Sequence, residues 1–105
     1  MINEILANIP NEKTLDGLQE FVGEFYSDRN DELSQMREML KEKNYEELRA
    51  MAHKWKGFSV PYGFNGLETL SRQLEKDCES MDYGAASERI EQISDYLNAK
   101  GQTLH

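Results

Sequence analysis

The sequence predicts an all-α protein: an antiparallel up-down-up-down four-helix bundle with a short N-terminal helix. Three observations predict it. Apolar residues recur at steps of three and four along most of the chain, the spacing of one helix face. No stretch alternates apolar and polar residues over a strand's length. Both prolines, Pro10 and Pro61, fall between the periodic segments, where helices should break. Amphipathic helices joined by short loops pack most simply as antiparallel neighbours.

Taken in order, Ile2 to Ile9 can form the short leading helix, stopped by Pro10. Thr14 is placed to cap the next helix, with Asp16 in its first turn and Gly17 as a weak point. Leu18, Phe21, Val22, Phe25, Leu33, Met36 and Leu40 then follow helical steps with one gap, at Arg29. They predict a long helix from about Leu15 to Glu42, with Ser27 to Asp31 as the place where it could kink. Asn44 follows a short turn as an N-cap, and Tyr45, Leu48, Ala52, Trp55 and Ser59 mark the buried face of the next helix. Pro61 and Gly63 punctuate the connection after it. Leu67, Leu70, Leu74, Cys78 and Met81 make a third stripe, from about Phe64 to Ser80. Asp82-Tyr83-Gly84 reads as a turn, and Ala86, Ile90, Ile93 and Leu97 carry the last helix. The 105 residues suffice for one domain and not two. Residues 1–12 form its leading helix and linker, and 15–98 the bundle.

Several function classes are excluded early. Twelve Lys and Arg against 20 Asp and Glu leave a net charge of −8, unsuited to a phosphate backbone or an anionic membrane. No apolar run approaches the length of a membrane span, and the N-terminus lacks the basic start of a signal peptide, so a cytoplasmic protein is expected. The single cysteine, Cys78, cannot form an internal disulfide or a CxxC site, and its place on an apolar stripe makes it a buried small hydrophobe. There is no phosphate-binding GxxxxGK[ST] loop and no kinase signature. One internal histidine with scattered carboxylates makes no metal-ligand set. The second histidine, His105, is the last residue and is given no role.

One stretch stands out. Between Glu47 and Glu68 lie 20 residues without a single acid, and among them are Arg49, His53, Lys54 and Lys56. At about 100° per residue, His53 falls well outside the apolar stripe of its helix, with Arg49 and Lys56 on one flank. On its other flank stand Ala50 and Gly57. A glycine inside a helix costs about 1 kcal/mol against alanine, so Gly57 calls for a reason. Without a Cβ it lets a bulky group or another protein approach the imidazole. A solvated surface histidine is the plainer reading, but it leaves the glycine and the missing acids unexplained.

The run Ala52-His53-Lys54-Trp55-Lys56-Gly57-Phe58-Ser59 resembles the AHxxKGxS signature of histidine-containing phosphotransfer (HPt) domains. Gly63 ten residues after the histidine, Leu67 at fourteen and Leu74-Glu75 at twenty-one and twenty-two continue the resemblance. It covers about Leu15 to Asn98. Trp55 departs from the family's usual aliphatic residue, Phe58 from a frequent small one, and Val60-Pro61 interrupts a stretch that many members keep helical. Pro61 therefore predicts an early end to the histidine helix.

The resemblance implies a phosphocarrier of a two-component phosphorelay rather than an enzyme. His53 would accept a phosphoryl group from a receiver-domain aspartate and pass it to another receiver. Imidazole is nucleophilic at neutral pH, and phosphoryl transfer asks mainly for positioning and charge stabilisation. Lys56, one turn on, would neutralise phosphate oxygens, with Arg49 adding to the field. Mg²⁺ would come with the receiver. Glu75 matches a glutamate that, in chemotaxis-kinase members, orients the imidazole. The residues leave it equally open as a surface partner of Arg72, and Arg72 itself as a phosphate contact or as helix decoration. Met51, Val60, Tyr62 and Phe64 are candidates for an apolar docking patch, with Trp55 assigned to the core. The partners implied are response-regulator receiver domains, a hybrid histidine kinase, or both. Two alternatives stand: the phosphotransfer module of a histidine kinase, with His53 phosphorylated from ATP, or a helical module that binds a receiver or kinase without being phosphorylated. Met1 and the polar end at His105 favour an independent small protein, and a monomer is expected.

The charge is not uniform. Arg37 to Lys56 hold six Lys or Arg and four Glu, a net +2, while the other 85 residues carry −10. The basic rim suits the acidic pocket of a receiver.

Overall fold

In the computed structural model, which describes residues 1–104, the chain is helical throughout and contains no strand among those residues. His105 lies outside the described residues. The helices are α1 (Ile2–Ala7), α2 (Val22–Lys41), α3 (Tyr45–Phe58), α4 (Asn65–Glu79) and α5 (Tyr83–Gly101). Short 3-10 turns occupy Ile9–Asn11, Gln19–Phe21 and Val60–Tyr62. In the bundle α2 packs on α3, α3 on α4, α4 on α5 and α5 back on α2, while α1 lies against α5. Its centre is filled by Met36, Leu48, Trp55, Phe64, Leu67, Leu70, Leu74, Ile93, Tyr96 and Leu97, each with no more than a trace of exposure. Cys78 is buried as expected, and burial, with the neighbouring Asp77 charge second, pushes its thiol up to about 11.

Most departures from expectation sit at helix ends. The long helix starts at Val22, not Leu15, because Gly17 adopts φ +94° and turns the chain before the 3-10 turn at Gln19. Thr14 caps nothing there: its hydroxyl donates to the Tyr62 carbonyl at 2.8 Å. The stretch from Ser27 to Asp31 does not split α2, which runs unbroken through it. Pro10 lies within the 3-10 turn that follows α1, where its missing N–H is harmless. Pro61 likewise sits in the 3-10 turn that follows α3, so the histidine helix ends at Phe58.

Two connections use the same device. Lys43 and Met81 take left-handed φ values of 57° and 50°, unusual for residues with a side chain. Each closes the preceding helix, with Asn44 N–H reaching the Met39 carbonyl and Asp82 N–H the Asp77 carbonyl, both bonds spanning five residues. Asn44 and Asp82 then cap the following helices by accepting from Glu47 N–H (3.2 Å) and Ala85 N–H (3.0 Å). Met81 is therefore a turn residue, 69% exposed, and not part of the α4 stripe. Tyr83 and Gly84, expected in a turn, open α5.

The N-terminal segment is tied in by Glu12. Its carboxylate is wholly buried and accepts from Lys100 Nζ (2.7 Å), Tyr96 OH (2.8 Å) and Gly66 N–H (2.7 Å). Phe64, at the start of α4, has no side-chain acceptor for the free helix amides, and Glu12 serves one of them from 54 residues away. Burial, followed by the charge of Glu12, drives the Tyr96 hydroxyl far above the ordinary tyrosine range.

Candidate functional site

The exposed face of α3 carries the site. His53 points outward, its side chain 64% exposed, as its place outside the apolar stripe predicts. Its Nδ1 lies 2.7 Å from Glu75 Oε2 on α4. A carboxylate can only accept from a neutral imidazole, so this contact places the ring proton on Nδ1 and leaves the Nε2 lone pair free. Nε2 has no partner among the described residues. Glu75 also accepts from Lys56 Nζ, at 2.9 Å on Oε1. Its residue exposure is 9%, so it is no solvated surface glutamate. The Lys56 hydrogen bond lowers the Glu75 carboxyl below its ordinary value, burial opposes this, and the His53 contact lowers it further.

Gly57 follows Lys56 and is exposed. A Cβ built on it would meet nothing within 4 Å, so the chain's own packing does not demand glycine there. Arg49, one turn before His53, is half-buried, has no ion pair among the described residues, and is near enough to Cys78 on α4 for its charge to act on that thiol. Arg72 is not brought to the histidine: it is exposed and ion-paired with Glu68 one turn earlier on α4.

The expected docking residues divide. Val60 is 45% exposed, and Met51 and Tyr62 are half-buried against the core. Tyr62 stacks on Phe25 with ring centroids 4.2 Å apart. Phe64 is a correction: it has no exposed surface and packs edge-on to Phe25 and Tyr96, because α4 begins there and turns its first apolar residue inward. Exposed apolar surface comes instead from Leu15, 61% exposed, and Phe21, 46% exposed. Leu15 N–H donates to the Pro61 carbonyl, and Phe21 shares a cavity of about 240 Å³ with Phe58 and Tyr62. Both were assigned elsewhere from sequence, as part of α2.

Sequence reasoning missed one further cluster. Arg29, the gap in the α2 stripe, is buried, with 6% exposure, and its guanidinium lies over both the Phe25 and Phe58 rings, 4.5 and 4.6 Å from their centroids. The signal was present, since Arg29 stands four residues after Phe25 and four before Leu33, in phase with the buried face. Beside it Glu32 contacts Arg29, Lys54 and Trp55. Among the described residues no group of three or more His, Cys, Asp or Glu could hold a metal ion, and no helix is long and apolar enough to cross a membrane.

A family model described as Hpt domain matches residues 20–103. No curated protein and no solved structure matches the chain.

Proposed function

Because this chain belongs to the Hpt domain family, whose members carry phosphoryl groups on histidine in two-component signalling, we propose that His53 is its phosphoryl acceptor. The group comes from a receiver-domain aspartate and passes to a second receiver. The observation that supports this most is the His53–Glu75 contact of 2.7 Å, which leaves Nε2 free on an exposed ring.

In the step proposed, the Nε2 lone pair attacks the phosphorus of the aspartyl phosphate in line. An N–P bond forms as the P–O bond to aspartate breaks, and the aspartate leaves as a carboxylate. The ring gains positive charge while Nδ1 keeps its proton, and Glu75 sits where it stabilises that charge. Lys56, already within reach of the site on Glu75, neutralises phosphate oxygens. Gly57 leaves space for the incoming domain, and Arg49 adds positive field. Arg72, held by Glu68, has no assigned part. We assign Mg²⁺ and its acidic ligands to the receiver, and the docking surface to Val60, Tyr62 and Met51 together with Leu15 and Phe21. The four long helices are read as an up-down-up-down antiparallel bundle, and the protein as a monomeric carrier.

The test is incubation with a receiver charged by acetyl phosphate in Mg²⁺. Wild type should gain an acid-labile, base-stable phosphate and His53→Gln none. An unlabelled wild type, or a labelled His53→Gln, refutes the carrier role.

A further inference from the structure

Four consecutive residues of α3 are divided between two carboxylates on neighbouring helices. Glu75 of α4 holds His53 and Lys56, while Glu32 of α2 holds Trp55, whose indole N–H donates to Oε1 at 2.8 Å, and Lys54, at 3.6 Å from Oε2. Trp55 has no exposed surface, so its N–H has no water to turn to. Glu32 is also ion-paired on its own helix: Arg29 Nε lies 2.8 Å from the same Oε1, without the alignment of a hydrogen bond, and the guanidinium lies over the edge-packed Phe25 and Phe58 rings. Trp55 and Lys54 make the only side-chain hydrogen bond and ion pair between α2 and α3 among the described residues, beside the contact of Arg29 with the Phe58 ring.

His53 and Trp55 stand two residues apart, about 200° around the helix. The two carboxylates therefore grip α3 from nearly opposite sides. Glu75 ties the imidazole to α4; Glu32 adds a directional tie on α2 that, beyond the apolar packing of Leu48, Ala52 and Trp55, opposes rotation of α3. Trp55 also replaces the aliphatic residue usual in the sequence pattern, and an aliphatic side chain could make no such bond.

We propose that Glu32 is a positioning residue for transfer at His53, acting through Trp55. By holding α3 against α2 it sets the direction in which Nε2 meets the incoming phosphorus. The inference rests on the carrier role of His53. In-line attack tolerates little misplacement, and a shift near 1 Å can cost about a hundredfold in rate, so loss of one of two anchors should cost about tenfold.

The experiment is single-turnover transfer from an acetyl-phosphate-charged receiver to the full chain, over a range of receiver concentrations. Trp55→Phe keeps a buried aromatic ring and removes the donor, together with part of the indole's volume. It should lower the saturating rate about tenfold and leave the half-saturating receiver concentration unchanged. Glu32→Ala removes the acceptor and should lower the saturating rate as far as Trp55→Phe does. The double variant should be no slower than Trp55→Phe, because the same bond is lost. A Trp55→Phe protein that transfers at the wild-type rate overturns the inference. So does one whose half-saturating concentration rises at unchanged saturating rate, or a Glu32→Ala protein that transfers at the wild-type rate. In each of those cases a labelled wild type leaves the carrier role standing. An unlabelled wild type removes both.

Discussion

Replacing Glu12 by glutamine takes the negative charge from a carboxylate with no exposed side-chain surface, and leaves the Lys100 ammonium, 7% exposed, inside the bundle. Lys100 would retain the Gly63 carbonyl at 2.8 Å and the face of Phe64 at 4.9 Å, and no opposite charge. Breaking a buried ion pair by removing one partner costs about 3–5 kcal/mol. The retained carbonyl and ring place this case at the low end, about 3 kcal/mol. For a domain of this length that lowers the melting temperature by roughly 15 °C. Thermal melts followed by circular dichroism, with urea melts alongside, measure it. Lys100→Met should also destabilise, because it leaves the carboxylate with only the Tyr96 and Gly66 donors. The double variant Glu12→Gln/Lys100→Met should be more stable than the sum of the singles requires, since no buried charge is left unpaired. A loss below about 1 kcal/mol for Glu12→Gln, or strictly additive singles, would refute the claim that this pair ties the N-terminal segment to α4 and α5.

At Gly57 a leucine should leave the melting temperature unchanged or raise it, because its Cβ enters open space and glycine is about 1 kcal/mol poorer in a helix interior. The same variant should block transfer from a charged receiver; transfer at the wild-type rate would leave the glycine without its assigned reason. The Glu75 carboxyl is held below its ordinary value of 4.5 by Lys56 first and His53 after it, against the effect of burial. A depressed carboxyl contributes stability that is fully present above its unfolded value and lost as pH falls through the folded one. Acidification through 4.5 and below should therefore lower the wild-type melting temperature more steeply than that of Glu75→Gln, and parallel curves would contradict this.

How far the site was legible follows from the range of the interactions that build it. The exposure of His53 and the open space at Gly57 were readable because they depend only on angles around one helix. Glu75 was ambiguous because its partner is set by the register of α4 against α3, and a helix wheel offers Arg72 as readily as His53. Phe64 was misplaced for a related reason: its apolar character was plain, but its direction depends on where α4 begins. Met81 fits the spacing of a stripe and lies in a left-handed turn instead, a choice made by the bonds that close α4.

By itself the sequence determined the helical periods, the cap at Asn44, the break at Pro61 and the basic stretch between Glu47 and Glu68, free of acids, that presents His53. These rest on neighbours a few residues apart, whose geometry the helix dictates. The tertiary structure alone decided which carboxylates meet which donors: Glu75 with His53 and Lys56, Glu32 with Trp55, Glu12 with Lys100. Such pairings join residues 22, 19, 23 and 88 positions apart. Their identity depends on how the helices slide and rotate as they bury their stripes, and apolar burial, which has no direction of its own, leaves that choice to the packed fold.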